Sequence, residues 1–274
     1  MGDFVMETKK RVLIAAHMGR WGGNIPGNTR MSFEIALRQG ADIIELDVTK
    51  SADGELFVFH PRTEKERLGM DIDIRTMPAS EVEKLQFLSV YGARTDHNIA
   101  RLEDILNFLK GRCTINIDKF FDNPLEIGKL VRSMNMQDQV IVKTPPTQVF
   151  FDRVAEVAPD LPYMPFVYDD DTTSKYLNSR PDMRFKGVEA VYYEDSSMLA
   201  SDEYIDMMHG MGKQVWINSI RFSNRRPLAG SRCDDDALSG DPDKVWGWMC
   251  EKGYDIIQTD WTLELYLYLR MKGY

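Results

Sequence analysis

Short apolar runs alternate along the chain with amphipathic segments, at spacings of roughly 25–40 residues. The runs fall at 12–16 (VLIAA), 43–48 (IIELDV), 113–117 (CTINI), 140–142 (VIV), 162–167, 188–192 (VEAVY), 214–217 (QVWI) and 255–258 (DIIQ). Between them lie helical periodicities: Leu102, Ile105, Leu106 and Leu109 stand at i, i+3, i+4 and i+7, and Phe33, Ala36, Leu37 and Gly40 repeat the pattern. Asn123 before Pro124 marks a helix start, and Gly210 with Gly212 marks the end of the helix before the 214 run. Eight such alternations predict an α/β fold, a closed parallel (β/α)₈ TIM barrel occupying 1–274 as a single domain. An open doubly wound sheet is the alternative, but no G-x-G-x-x-G follows the first run, which weighs against a dinucleotide-binding fold.

Two stretches break the alternation. Residues 61–100 form a polar insertion after the second barrel strand, with one helix-like piece from Ala79 to Leu88, and residues 219–243 form a long loop rich in Arg and Asp. Loops of this length in compact domains usually carry function, and both are expected to leave the C-terminal rim of the barrel.

Composition narrows the partners. Among 274 residues, 43 Asp and Glu against 34 Lys and Arg leave a net charge of −9, so no global positive field gathers nucleic acid or an anionic bilayer. No apolar run approaches the length of a membrane span, and the basic-then-apolar stretch Lys9 to Ala16 is shorter than a signal-peptide core. The expectation is a cytoplasmic protein without stable membrane association. Cys113, Cys233 and Cys250 are odd in number and lack metal-type spacing, which argues against a disulfide framework or a zinc site.

The candidate chemistry sits where the apolar runs end. His17 follows the first run within HMGRWGGNIPGNT, whose glycines permit tight turns. Glu45 and Asp47 are two apart in IIELDV, so a strand turns both carboxylates to one face. With apolar neighbours on both faces, that pair is costly without a cation or hydrogen bonds, so metal ligation is favoured over an exposed polar face. His60 ends LFVFH after the Asp53-Gly54 turn, and Asp118 ends the third barrel strand. In a barrel these ends converge on one rim.

At this point the chain resembles the glycerophosphodiester phosphodiesterase family. The matching pieces are the H-x-G with P-x-N-T of His17, Gly19, Pro26, Asn28 and Thr29, then GADIIELDVTKSADGELFVFH, RLEDIL, INIDK, VWIN and GYDIIQTD. The resemblance implies a (β/α)₈ barrel, a divalent cation held by Glu45, Asp47 and Asp118, and His17 and His60 as an acid–base pair. Hard oxygen donors without Cys suit Ca²⁺ or Mg²⁺. The implied activity is metal-dependent hydrolysis of a small-molecule glycerophosphodiester to sn-glycerol 3-phosphate and an alcohol such as choline or ethanolamine. A non-catalytic phosphoester-binding protein on the same scaffold and a phospholipase acting on intact lipid are the alternatives.

The chain departs from the family pattern at several positions. Gly27 stands where an acidic residue is usual, Met18 replaces the Arg of H-R-G, and Pro61 replaces the Asp after the second histidine. Arg20 is the nearby substitute for binding phosphate. The E-x-K pattern is shortened to Asp118-Lys119, and strand alternation turns Lys119 away from the Asp118 face. Lys143, ending VIVK, is therefore expected as the inward cation and joins His17 and His60 in the catalytic set. Trp216 and Asn218 are expected beside the substrate, as the family's aromatic wall. In the 219–243 loop, Arg221, Arg225, Arg226 and Arg232 are positioned to gather phosphoesters, and Asp234, Asp235 and Asp236 to receive a cationic head group; the simpler reading is that these charges pair with one another.

Overall fold

The structure is a computed structural model, and it describes residues 10–169, 171–221 and 226–274. Its barrel strands are β1 (Leu13–Ala16), β2 (Ile43–Lys50), β3 (Thr114–Asp118), β4 (Val140–Val142), β5 (Pro162–Tyr163 and Phe166–Tyr168), β6 (Arg184–Phe185 and Gly187–Val191), β7 (Gln214–Asn218) and β8 (Ile256–Thr259). Each coincides with one of the apolar runs in the sequence. Neighbours pair in parallel from β1 round to β8, and β8 returns to β1 with Leu13 opposite Ile256 and Ala16 opposite Thr259.

Two strands are interrupted without opening the barrel. Pro165 lacks an N–H, so β5 breaks there. Hydrogen bonding nevertheless continues on both sides: Phe166 N donates to Thr144 O at 3.1 Å, and Glu189 N donates to Pro165 O at 2.9 Å. A side chain at Gly187 would meet Gln214 O at 2.0 Å, so only glycine lets β6 and β7 lie this close.

Strands of a closed barrel are buried on both faces, which explains why β2 is apolar from Ile43 to Val48 except at Glu45 and Asp47. Outward side chains such as Ile44, Leu46 and Ile117 pack against the surrounding helices. Ala15, Ile43, Ile141, Met164, Trp216 and Ile256 form a second cluster inside the barrel. Side chains therefore fill the lower barrel, and the polar groups sit above them toward the C-terminal rim.

The insertion is built differently from its periodicity. A short strand, Leu56–Val58, runs antiparallel to the end of β2. After it come helices Glu64–Leu68 and Ala79–Val82 and a two-stranded sheet of Gln86–Leu88 with Arg94–Asn98. The helix expected from Ala79 to Leu88 thus stops at Val82. Beyond that point strand pairing wins, placing Phe87 5.7 Å from the ring of Phe59 in a satellite core with Phe57, Ile74 and Val82. In the 219–243 region, helix Asp234–Ser239 occupies part of what reads as loop. No helix among the described residues is long and apolar enough to cross a membrane.

Candidate active site

A pocket of about 350 Å³ opens at the C-terminal ends of the strands, and His17, Glu45, Asp47, His60 and Asp118 all line it. Parallel register accounts for the carboxylates, because Asp47 lies opposite Asp118 on the adjacent strand. Oxygens of Glu45, Asp47 and Asp118 come within 4.8 Å of one another. Asn28 braces the pair from the loop after β1: its amide donates to Asp47 Oδ2 at 2.8 Å and its carbonyl accepts from Asp47 N at 3.2 Å. Met18 N donates to Glu45 Oε2 at 2.8 Å.

His60 reaches the rim by a route alternation alone does not reveal. The Leu56–Val58 strand doubles back along β2, and Phe59 N bonds Asp47 O at 3.0 Å, bringing His60 Nε2 to 3.8 Å from Asp47 Oδ1. Its Nδ1 lies 3.0 Å from Pro61 O. His17 is placed by the turn after β1, where Gly19 adopts φ +74° and a Cβ would strike Ser32 C at 2.7 Å. The helix that blocks it, Arg30–Arg38, begins with a reciprocal cap in which Thr29 and Ser32 exchange hydrogen bonds at 3.2 Å.

Electrostatics follow from crowding. Burial pushes the Glu45 carboxyl up to about 8, and the Asp47 charge adds to it. Asp118 goes the other way: burial opposes its charge, but the Lys119 ammonium outweighs this and holds it below the usual range. Burial alone would lower His17, yet the charge and hydrogen bond of Asp260, with Glu45 and Asp47, raise it to about 9. An all-oxygen cluster in which burial and the charges of Asp47 and Asp118 hold a proton on Glu45 fits a hard divalent cation. The side-chain oxygen of Asn116, opposite Glu45 in the register, is buried without a partner and its residue also lines the pocket, adding an oxygen donor nearby.

Four expected site residues stand apart from the pocket lining. Lys143 points into the barrel and is buried, but its ammonium is paired with Glu189 and lies 3.3 Å from the centroid of the Trp216 ring. Asn218 donates to Glu189 Oε1 at 2.6 Å and accepts from Trp216 Nε1 at 3.3 Å, so Lys143, Trp216 and Asn218 belong to one buried network with Glu189. Arg20 stacks 4.9 Å over Trp261 and bonds the carbonyl of Trp21.

Lys119 supplies the cation at the pocket instead. Its backbone takes φ 59°, which ends the strand alternation and swings the ammonium back onto Asp118, 3.7 Å from Asp47 Oδ1. The sequence contains no signal for that turn. Asp260, outside the expected site residues, follows β8 as Asp118 ends β3, and its Oδ1 lies 2.9 Å from His17 Nδ1.

Among the described residues, the loop after β7 does not place its charges in the pocket lining. Arg221 pairs with Asp236 at 3.4 Å, Arg226 with Glu194 at 2.6 Å, and Arg232 with Asp195 at 2.8 Å; Arg225 lies outside the described residues. Asp234 is buried, accepting from Trp246 Nε1 at 2.9 Å, Thr259 Oγ1 at 2.7 Å and Asp260 N at 2.9 Å. Burial, reinforced by the Asp260 charge, raises its carboxyl to about 7.

Fold and site together define a (β/α)₈-barrel protein with a carboxylate–imidazole pocket at its C-terminal rim. The chain belongs to the glycerophosphoryl diester phosphodiesterase family, whose model matches residues 21–215. A second model, described only as a domain of unknown function, matches 163–269. A glycerophosphodiester phosphodiesterase of Bacillus altitudinis is 29% identical over 143 residues, covering 48% of this chain and 57% of that protein. An uncharacterized Bacillus subtilis protein is 29% identical over 139 residues, with the same coverage of 48% and 57%. The chain thus spans a little over half the length of these relatives. A glycerophosphoryl diester phosphodiesterase structure from Parabacteroides distasonis superposes with a TM-score of 0.77 at 19% identity, over 96% of this chain and 88% of that one. An Oleispira antarctica phosphodiesterase, in complex with the product sn-glycerol-3-phosphate, superposes with a TM-score of 0.67 at 16% identity, over 94% and 96%. At these identities the likeness is one of fold.

Proposed function

We propose that the protein hydrolyses glycerophosphodiesters, small molecules with a glycerol on one side of the phosphate, to sn-glycerol 3-phosphate and an alcohol. The observation that carries the reading is the convergence of His17 and His60 on the same pocket as three carboxylates whose oxygens lie within 4.8 Å. Glu45, Asp47 and Asp118 would hold Ca²⁺ or Mg²⁺. Such a cation, when bound, neutralises a phosphate oxygen and acidifies a nearby hydroxyl.

The residues of the chain do the rest. A glycerol hydroxyl attacks phosphorus and gives its proton to one imidazole, while the other protonates the alcohol oxygen as its bond to phosphorus breaks. Water then opens the cyclic phosphate with the proton roles reversed. His17, oriented through Nδ1 by Asp260 and protonated to about pH 9, suits the first acid, which leaves His60 as the first base. Lys119 at the pocket supplies a positive charge for the phosphate.

The test is a panel of phosphodiesters incubated with Ca²⁺, Mg²⁺ or Mn²⁺, with the released alcohol measured directly. Cation-dependent release from glycerophosphodiesters is expected. Binding without release under any cation would identify a phosphoester-binding protein, and release only from intact phospholipid a phospholipase.

A further inference from the structure

The pocket mouth has two unlike halves. The charged groups arise from β1 to β3 and the hairpin on β2, which are adjacent around the barrel. The strands and loops across from them contribute Phe166 and Tyr168 from β5, Val191 from β6 with Tyr193 just beyond it, and Ile220 and Leu228 from the loop after β7; Phe121, from the turn after β3, extends the same wall. Glu189 is the one charged side chain lining that half among the described residues, and both its oxygens are taken, by Lys143 and by Asn218.

From this division we infer that the half-pocket formed by Phe166, Val191, Ile220, Leu228 and Phe121 is a subsite for an apolar alcohol, an alkyl or aryl chain esterified to the phosphate. The inference rests on the phosphodiester reading above and names the alcohol class. Phosphate and the glycerol hydroxyls match the charged half, where donors and acceptors are available. The alcohol then projects across the barrel onto the apolar wall. Among the described residues, a cationic head group would find no free counter-charge there, because the aspartates of the 219–243 loop are absent from the lining and Glu189 already has its cation. An alkyl chain gains from the same burial. Ile220 and Leu228 are what the Arg- and Asp-rich loop contributes to the pocket among the described residues.

Binding tests the subsite without turnover. Dissociation constants for ethyl, butyl and hexyl phosphate and for phosphocholine are measured by calorimetry in Ca²⁺ or Mg²⁺. In parallel, hydrolysis of the corresponding glycerophosphate alkyl esters is compared with that of the choline and ethanolamine esters. Affinity is expected to tighten about fourfold per methylene along the alkyl series. Leu228→Asn and Phe166→Asn should each flatten that slope, with thermal melts confirming that the variants are folded. A flat wild-type series, no binding by any alkyl phosphate, or phosphocholine binding more tightly than butyl phosphate each overturns the inference. If the slope is present but no diester is hydrolysed, the subsite stands and the phosphodiesterase reading falls. If diesters are hydrolysed with a flat slope, the reverse holds.

Discussion

Oδ1 of Asp260 lies 2.9 Å from Nδ1 of His17, although 243 residues separate them in the chain. Barrel closure makes the contact: Thr259 at the end of β8 lies opposite Ala16 at the end of β1, so the next residue of each strand meets at the rim. The carboxylate fixes the imidazole's tautomer and orientation and favours its protonated form. Asp260→Asn keeps an acceptor but removes the charge. It should lower kcat by about 10-fold or more with little change in KM, and shift the alkaline limb of the pH–rate profile to lower pH. An unmoved alkaline limb would separate Asp260 from the titration of His17.

His17→Ala and His60→Ala are each expected to reduce kcat by at least about 10²-fold while cation binding persists. The double variant should lose less than the product of the two effects, since in the proposed reaction the two imidazoles serve one proton-transfer sequence. Rate measurements at saturating substrate, with calorimetry for the cation, check both statements.

Asp47 shares the carboxylate cluster with Glu45 and Asp118 and is buried. Asp47→Asn should abolish the rise in Tm that Ca²⁺ or Mg²⁺ gives the wild type, and activity should fall to that of chelator-treated protein. Wild-type activity surviving exhaustive chelation would refute the cation assignment.

Metal-free protein should lose stability as pH rises from about 5 to 9. Burial, with Asp47, holds a proton on Glu45 to about pH 8, and burial, with Asp260, does the same on Asp234 to about pH 7. His17 keeps its proton to about pH 9 because Asp260 outweighs the effect of burial. The unfolded chain releases these protons nearer the ordinary values of 4.5, 3.8 and 6.5. The folded state therefore binds more protons through this window, and raising the pH favours unfolding. Thermal melts at fixed ionic strength should show Tm falling in chelator and a shallower fall in Ca²⁺ or Mg²⁺, where Glu45 is ionised in both states.

Lys119 combines a left-handed backbone with a charge at the pocket. Lys119→Ala removes the ammonium and keeps the Cβ that the left-handed backbone already strains, whereas Lys119→Gly removes the ammonium and relieves that strain. Both should weaken phosphate-ester binding by about 10-fold, as expected for a lost charge-assisted hydrogen bond, and the Ala variant should melt a few degrees below the Gly variant. Equal melting of the two variants would show that φ 59° at this position carries no cost.

The eight apolar runs became eight barrel strands because a strand between two packed layers must be apolar on both faces, a property written locally in composition. Convergence of His17, Glu45, Asp47, His60 and Asp118 was legible for a related reason: residues ending parallel barrel strands share one rim. Tertiary structure alone settled the partners. Lys119 turns inward through a single backbone angle, Lys143 is claimed by Glu189 across the barrel, and Phe87 leaves its helical pattern to pair with a strand and pack on Phe59. Arg221, Arg226 and Arg232 pair with Asp236, Glu194 and Asp195, and among the described residues the 219–243 loop leaves Ile220 and Leu228 at the pocket. Local periodicity records which face of an element is buried. Which charge meets which, and which side chains border a cavity, depends on contacts between residues far apart in the chain, and only closure of the barrel brings those together.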